Sequence, residues 1–182
     1  RYENYLFHLI WQALTAAKIF IIVVFCFSIV KTMLKAILKA TLLAGSLDIS
    51  AAFIQVYLNN KVLPSAVLKY IASAVFGKAA FEGGYGMMAW GLLFHFIIAF
   101  ACAAVFFLLY SKLNFLKYSY VLNALLIALV SWVVTNLIIL PLSNLPGGSF
   151  NLAKAVFAAG ILFICIGLPI SVLAKKYFSF PP

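Results

Sequence analysis

Acidic residues are almost missing from this chain: three aspartates and glutamates stand against thirteen lysines and arginines in 182 residues, a formal charge of +10. With two histidines and three cysteines besides, no cluster of metal ligands can be assembled at a recognisable spacing. Cys26, Cys102 and Cys165 each sit inside an apolar run and read as packing residues. Charged residues make up 9% of the chain, far below the quarter typical of soluble domains, and no polar stretch is long enough to form one. The apolar runs show no period-2 alternation, which favours helices over a membrane β-barrel. The basic residues are scattered singly or in pairs rather than gathered in a patch, which argues against nucleic acid as a partner. No cofactor signature is present.

What the chain has is hydrophobic sequence, 67% of it. A helix needs about 20 apolar residues to cross the hydrocarbon core, and runs of that length cover approximately 5–30, 37–58, 87–110, 120–140 and 152–174. Backbone polar groups must be paired inside a bilayer, so these runs should be helices. The fold expected is all-α: a polytopic transmembrane bundle of four core helices, with a fifth N-terminal one in question. Residues 33–182 form the bundle domain. Residues 1–32 are an N-terminal apolar segment, either a further helix or an upstream extension, because Lys18 falls near the middle of its run and Met33 precedes a basic stretch and a long apolar run in the manner of a start.

Lysines orient the bundle. Lys31, Lys35, Lys39, Lys112, Lys117, Lys175 and Lys176 fall on one side of the spans, against Lys61, Lys69, Lys78 and Lys154 on the other. The positive-inside rule makes the first side cytoplasmic.

The stretch GKAAFEGGYG, residues 77–86, resembles a phosphate loop only superficially. GKAA lacks the hydroxyl residue that should follow the lysine, and no strand precedes Gly84, Gly86 and Ala89. Residues 64–76 before it place Leu68, Ile71, Ala72, Val75 and Phe76 on one helical face, with Lys69 and Ser73 on the other. They should form a short amphipathic or re-entrant helix on the outer side, started by Pro64 and ended by Gly77. Gly77, Lys78, Glu82, Gly83 and Gly84 then make an outer hinge or gate, with Lys78 and Glu82 four residues apart and able to pair.

The polar residues inside the spans carry the sharper signal. A carboxylate at mid-span is costly and should face the bundle interior or a wet cavity. Thr41, Gly45, Asp48, Ala52 and Gln55 share one helical stripe, while Leu42, Ile49, Phe53 and Val56 point elsewhere. Gly91, His95, Ala99 and Ala103 form a second stripe of small residues, the kind that lets helices approach. At about 1.5 Å per residue, Asp48 and His95 lie at nearly the same depth from opposite sides. A third face carries Ala124, Ala128, Ser131 and Thr135, with Asn136 beside it. Asp48, His95, Asn136 and Gln55 are thus a candidate intramembrane polar centre, which either fixes helix register or works on a proton or substrate. Pro141 and Pro169 should kink their helices.

The segments AGSLDIS, IASAVFGKAAFEGG, GLLFHFIIAF, TNLIILPLS and IGLP, in this order, resemble a group of uncharacterised four-helix proteins of the bacterial inner membrane. The resemblance runs from about Met33 to Lys176. The histidine-bearing span followed by one ending in Pro-Leu is also distantly similar to inner-membrane proteins associated with acid resistance. These resemblances imply a multi-pass protein of the bacterial inner membrane and mark Asp48, Gly77, Lys78, Glu82, His95, Asn136 and Pro141 as motif positions, without assigning them roles.

Two classes of function follow. One is a non-enzymatic accessory, assembly or structural membrane component, in contact with lipids and with other membrane subunits or further copies of itself. The other is a small transporter or proton-handling protein that uses Asp48 and His95 as a pair. An enzyme is disfavoured, since an Asp–His pair without a nucleophile or metal supports little chemistry.

Overall fold

The computed structural model describes residues 2–139 and 152–179, with side chains described within 30–137 and 152–179. Its elements are helices throughout: α1 (Tyr2–Asn60), α2 (Pro64–Phe76), α3 (Ala79–Glu82), α4 (Tyr85–Lys112), a 3₁₀ turn at Asn114–Lys117, and α5 (Tyr120–Val133), which widens into a π-helix at Val134–Ile139. Next in the chain among the described residues come α6 (Leu152–Leu162), a second π-helix at Phe163–Gly167, and α7 (Leu168–Ser179). Among the described residues, four stretches are long and apolar enough to cross a membrane: Val30–Asn59, Tyr85–Lys112, Tyr120–Leu137 and Ala155–Ser179. The chain is an all-α bundle and a membrane protein.

The chain divides between Lys35 and Ala36 into two compact units. The first consists of the early part of α1. The sequence suggests two runs separated near residues 31–36, whereas α1 is continuous through them. KTMLKAILKA contains neither glycine nor proline and is rich in good helix formers, so its lysines interrupt the hydropathy without interrupting the backbone ladder.

The second unit holds the bundle, and its pattern inverts that of a soluble protein. Ala40, Ala44, Ala99, Ala103, Ala124 and Ala128 are buried, while Leu42, Leu47, Ile54, Leu93, Ile97 and Leu125 are exposed where lipid would lie. Lipid tails are as apolar as leucine, so burying leucine between helices gains little, and the small residues go inward because they let backbones meet. Glycines mark the tightest places. Gly45 of α1 faces the Phe96 ring and Ala99 of α4; Gly91 of α4 lies against the backbone of Leu68 in α2; Gly167 lies against the backbone of Ala124 in α5.

The 64–76 helix forms with the expected bounds, but its contact face differs. Ser73 is fully buried with Ala72, while Val75 is largely exposed. A face that touches α4 at Gly91 must carry small side chains. Serine meets that need and keeps its hydroxyl satisfied by donating to the Tyr70 carbonyl at 2.7 Å. Phe76 closes the contact over Trp90 and Phe94, with ring centroids at 6.0 and 5.9 Å. On α1, likewise, Ile49 is buried rather than turned away, as are Ile37, Ala40 and Thr41.

At the opposite end, Tyr110 stacks on Phe178 at 5.2 Å between centroids, and the Lys175 ammonium lies 5.3 Å from the Tyr120 ring centroid. These contacts bring the end of α7 beside the α4–α5 connection, so Lys112, Lys117, Lys175 and Lys176 gather at one end of the bundle. Asn123, buried in the first turn of α5, donates to the Leu116 carbonyl and ties that connection down. Ser119 caps α5 by accepting from the Leu122 amide at 3.3 Å.

Pro169 is the second residue of α7, two positions after the last residue of the π-helix. It has no N–H for the Cys165 carbonyl, and the turn before it widens so that the Leu168 amide reaches back five residues to the Phe163 carbonyl. The irregularity expected from this proline therefore takes the form of a π turn. Pro141 lies outside the described residues.

Candidate functional site: a cavity inside the bundle

Between α1, α2, α4, α5 and α6 the bundle does not close. A cavity of about 570 Å³ opens there, and Asp48 and Gln55 of α1, His95 and Cys102 of α4, and Ser131, Thr135 and Asn136 of α5 and its π extension all reach its wall. The four residues of the polar centre read from the sequence thus line one space, although they do not bond to one another. The rest of the wall is apolar and aromatic, including Tyr70 and Ile71 from α2, Phe94, Trp132, and Ile161 from α6.

Each polar group is held differently. His95 Nε2 lies 2.9 Å from the carbonyl oxygen of Gly45. A carbonyl can only accept, so Nε2 carries the proton and Nδ1 is left to accept when the ring is neutral. The bond is possible because Gly45 lets α1 come close to Phe96, and the His95 and Phe96 rings meet edge to face at 5.5 Å. Asn136 donates to the Trp132 carbonyl one turn back at 2.9 Å rather than reaching across the bundle. Ser131 and Cys102 pair at 3.8 Å and join α4 to α5 at the cavity wall.

Asp48 is the exception. It lies within electrostatic range of His95, yet among the described residues it takes no hydrogen bond and forms no ion pair. No described side-chain oxygen or nitrogen is both sealed and unpartnered. The half-buried Asp48 carboxylate therefore opens on the cavity, whose wall it lines. The direct Asp48–His95–Asn136 network that the sequence admits is not formed. The imidazole found a backbone carbonyl one turn away on α1, and the amide found its own helix.

The outer turn stands apart from this wall. Gly77 ends α2 with φ 59°, a left-handed conformation open to glycine, and its amide caps the Ser73 carbonyl at 2.9 Å. Lys78 and Glu82 bracket the single turn of α3, both exposed, and the described residues show no ion pair between them. Gly83 sits close under Met87, and Gly84 has open space around it. None of these five lines the cavity. What fastens the turn is Lys69, whose ammonium donates to the Phe81 carbonyl at 3.1 Å.

Sequence reasoning missed the contribution of α2, since nothing in residues 64–76 says that Tyr70 and Ile71 turn toward a cavity. It also set Cys102 aside as packing, although its position seven residues after His95 places both on one face of α4. No group of three or more metal-ligating side chains occurs among the described residues. Comparison of the chain with known protein families, with curated proteins and with solved structures finds no match.

Proposed function

We propose that this protein is a small, non-enzymatic transporter of the bacterial inner membrane, its lysine-rich end cytoplasmic, that handles a proton together with a small molecule held in the bundle. The observation that carries this reading is the cavity, with the Asp48 carboxylate, which takes no hydrogen bond among the described residues, and the His95 imidazole on the same wall at mid-span. Ionisable groups placed inside a membrane are costly, and those that persist there commonly serve ion or substrate pathways. The π-helices at Val134–Ile139 and Phe163–Gly167 add support: both contribute to the wall, and such turns recur where helices change register at functional sites.

The test is reconstitution of the full chain in liposomes containing a pH-sensitive dye. An imposed pH gradient should collapse faster than in protein-free liposomes, and Asp48→Asn should remove the difference while leaving the helical signal intact. Equal rates with and without the wild-type protein would overturn the reading.

An accessory or assembly component is the second reading, and Gly160 favours it. This glycine lies on an exposed face of α6 with nothing within 4 Å of where a Cβ would sit, a surface that admits another helix, from a different subunit or a second copy. Purification in mild detergent as a stoichiometric larger assembly would move the weight to it.

A further inference from the structure

We infer that the cavity binds an organic cation with an apolar body, and that Asp48 is its counter-charge. This inference rests on the reading of the cavity as a binding site and adds the class of ligand. About 570 Å³ lies within the roughly 300–1,000 Å³ of pockets that enclose drug-sized molecules.

The sign of the charge comes from which groups are already engaged. Among the described residues Asp48 is the only carboxylate on the wall, and it takes no hydrogen bond and forms no ion pair there. Among the described lining residues the one basic side chain, His95, has its Nε2 proton committed to the Gly45 carbonyl, and Lys69, next in the chain to the lining residue Tyr70, is committed to the Phe81 carbonyl. An anion entering the cavity would meet an unpaired carboxylate and an imidazole whose Nε2 donor is taken. A cation would meet that carboxylate on a wall that also carries the aromatic side chains of Tyr70, Phe94 and Trp132, whose π systems attract positive charge.

The apolar walls decide between organic and inorganic cations. A metal ion must replace its water shell with several oxygen ligands. The cavity offers one carboxylate and scattered neutral oxygens, and no cluster of three ligating side chains exists among the described residues. An organic cation carries its own hydrocarbon and asks the wall only for one charge and a large apolar surface.

Tetraphenylphosphonium and tetraphenylborate test this, because they share a shape and differ in the sign of their charge. Each is titrated by calorimetry into the purified full chain in uncharged detergent, with empty micelles as the blank. The protein's overall charge of +10 by itself favours the borate. The expected result is the reverse, with the phosphonium bound roughly tenfold or more tightly, the scale of one partly desolvated charge contact. Asp48→Asn should erase the preference and Asp48→Glu should retain much of it. Equal binding of the two ions by the wild-type protein, or tighter binding of the borate, would mark an apolar space suited to a lipid tail and overturn the inference whether or not the variants fold. Phosphonium preference without proton flux in liposomes would uphold this inference against the transport reading, and flux without cation preference would do the opposite.

Discussion

Replacing Gly91 by alanine tests whether the bundle is held by backbone contact between α2 and α4. A Cβ at Gly91 would lie 2.8 Å from the carbonyl carbon and 3.2 Å from the Cα of Leu68, with the carbonyl oxygen nearer still. Carbon atoms rest at about 3.5–4.0 Å, so the two helices would have to part by roughly 0.7 Å or more. The obstacle is main chain, which no rotamer change can move aside. Overpacking of this kind costs about 1–3 kcal/mol, partly offset by the ~1 kcal/mol by which alanine exceeds glycine as a helix former. Gly167 presents the same case against Ala124, whose carbonyl carbon and Cα would stand 2.9 and 3.0 Å from the new atom. At Gly45 the neighbour is the Phe96 ring at 2.8 Å, and a half-exposed ring can swing, so the loss should be smaller. Gly160 has nothing within 4 Å and should simply gain about 0.5–1 kcal/mol of helix stability. Thermal unfolding in detergent, followed by circular dichroism, should therefore lower the melting temperature for Gly91→Ala and Gly167→Ala, change it least for Gly45→Ala, and raise it for Gly160→Ala. If Gly91→Ala and Gly160→Ala shift the midpoint alike, the contact argument is wrong.

Other outcomes follow from the same geometry. Ser119→Ala should cost about 1 kcal/mol through the lost cap of α5, and Asn123→Ala about 1–3 kcal/mol because it leaves the buried Leu116 carbonyl without its donor; chemical denaturation in mixed micelles checks their order. Asp48→Asn and His95→Gln, which remove groups that share a wall without a bond, should combine with a coupling below about 1 kcal/mol, and a larger value from the stability of the two single variants and the double variant would show a direct pair. Cysteines placed at Lys61 and Lys112, at opposite ends of the spans, should be labelled from opposite faces of the membrane by an impermeant thiol reagent; labelling from the same face would refute the four-span arrangement.

Much of the site was legible as a set of residues and little of it as a set of bonds. Asp48 and Gln55 share a helical face in any straight helix, and the small residues around His95 point to a buried side of α4, so periodicity alone brings them toward the interior. Periodicity does not say how far apart the facing helices stop. His95 reaches the carbonyl of Gly45, where no side chain stands in the way, and Asn136 turns back to the Trp132 carbonyl of its own helix. Ser73 was misplaced for a related reason: a hydroxyl counts as polar in a hydropathy pattern, yet at a fully buried position its small size matters more than its polarity, and Tyr70 satisfies it locally.

The class of the protein, the spans of its bundle, the short helix from Pro64 and the clustering of lysines at one end follow from the amino-acid order alone, because transfer of a helix into hydrocarbon sums residue by residue over a local window. Which helices touch, and whether Asp48 is paired or open, depend on rotations and separations set by contacts between distant positions: Gly45 with Phe96, Leu68 with Gly91, Ala124 with Gly167. The cavity exists because these contacts draw the helices together at particular points, and the larger side chains between those points hold them apart. No local window of sequence contains that difference.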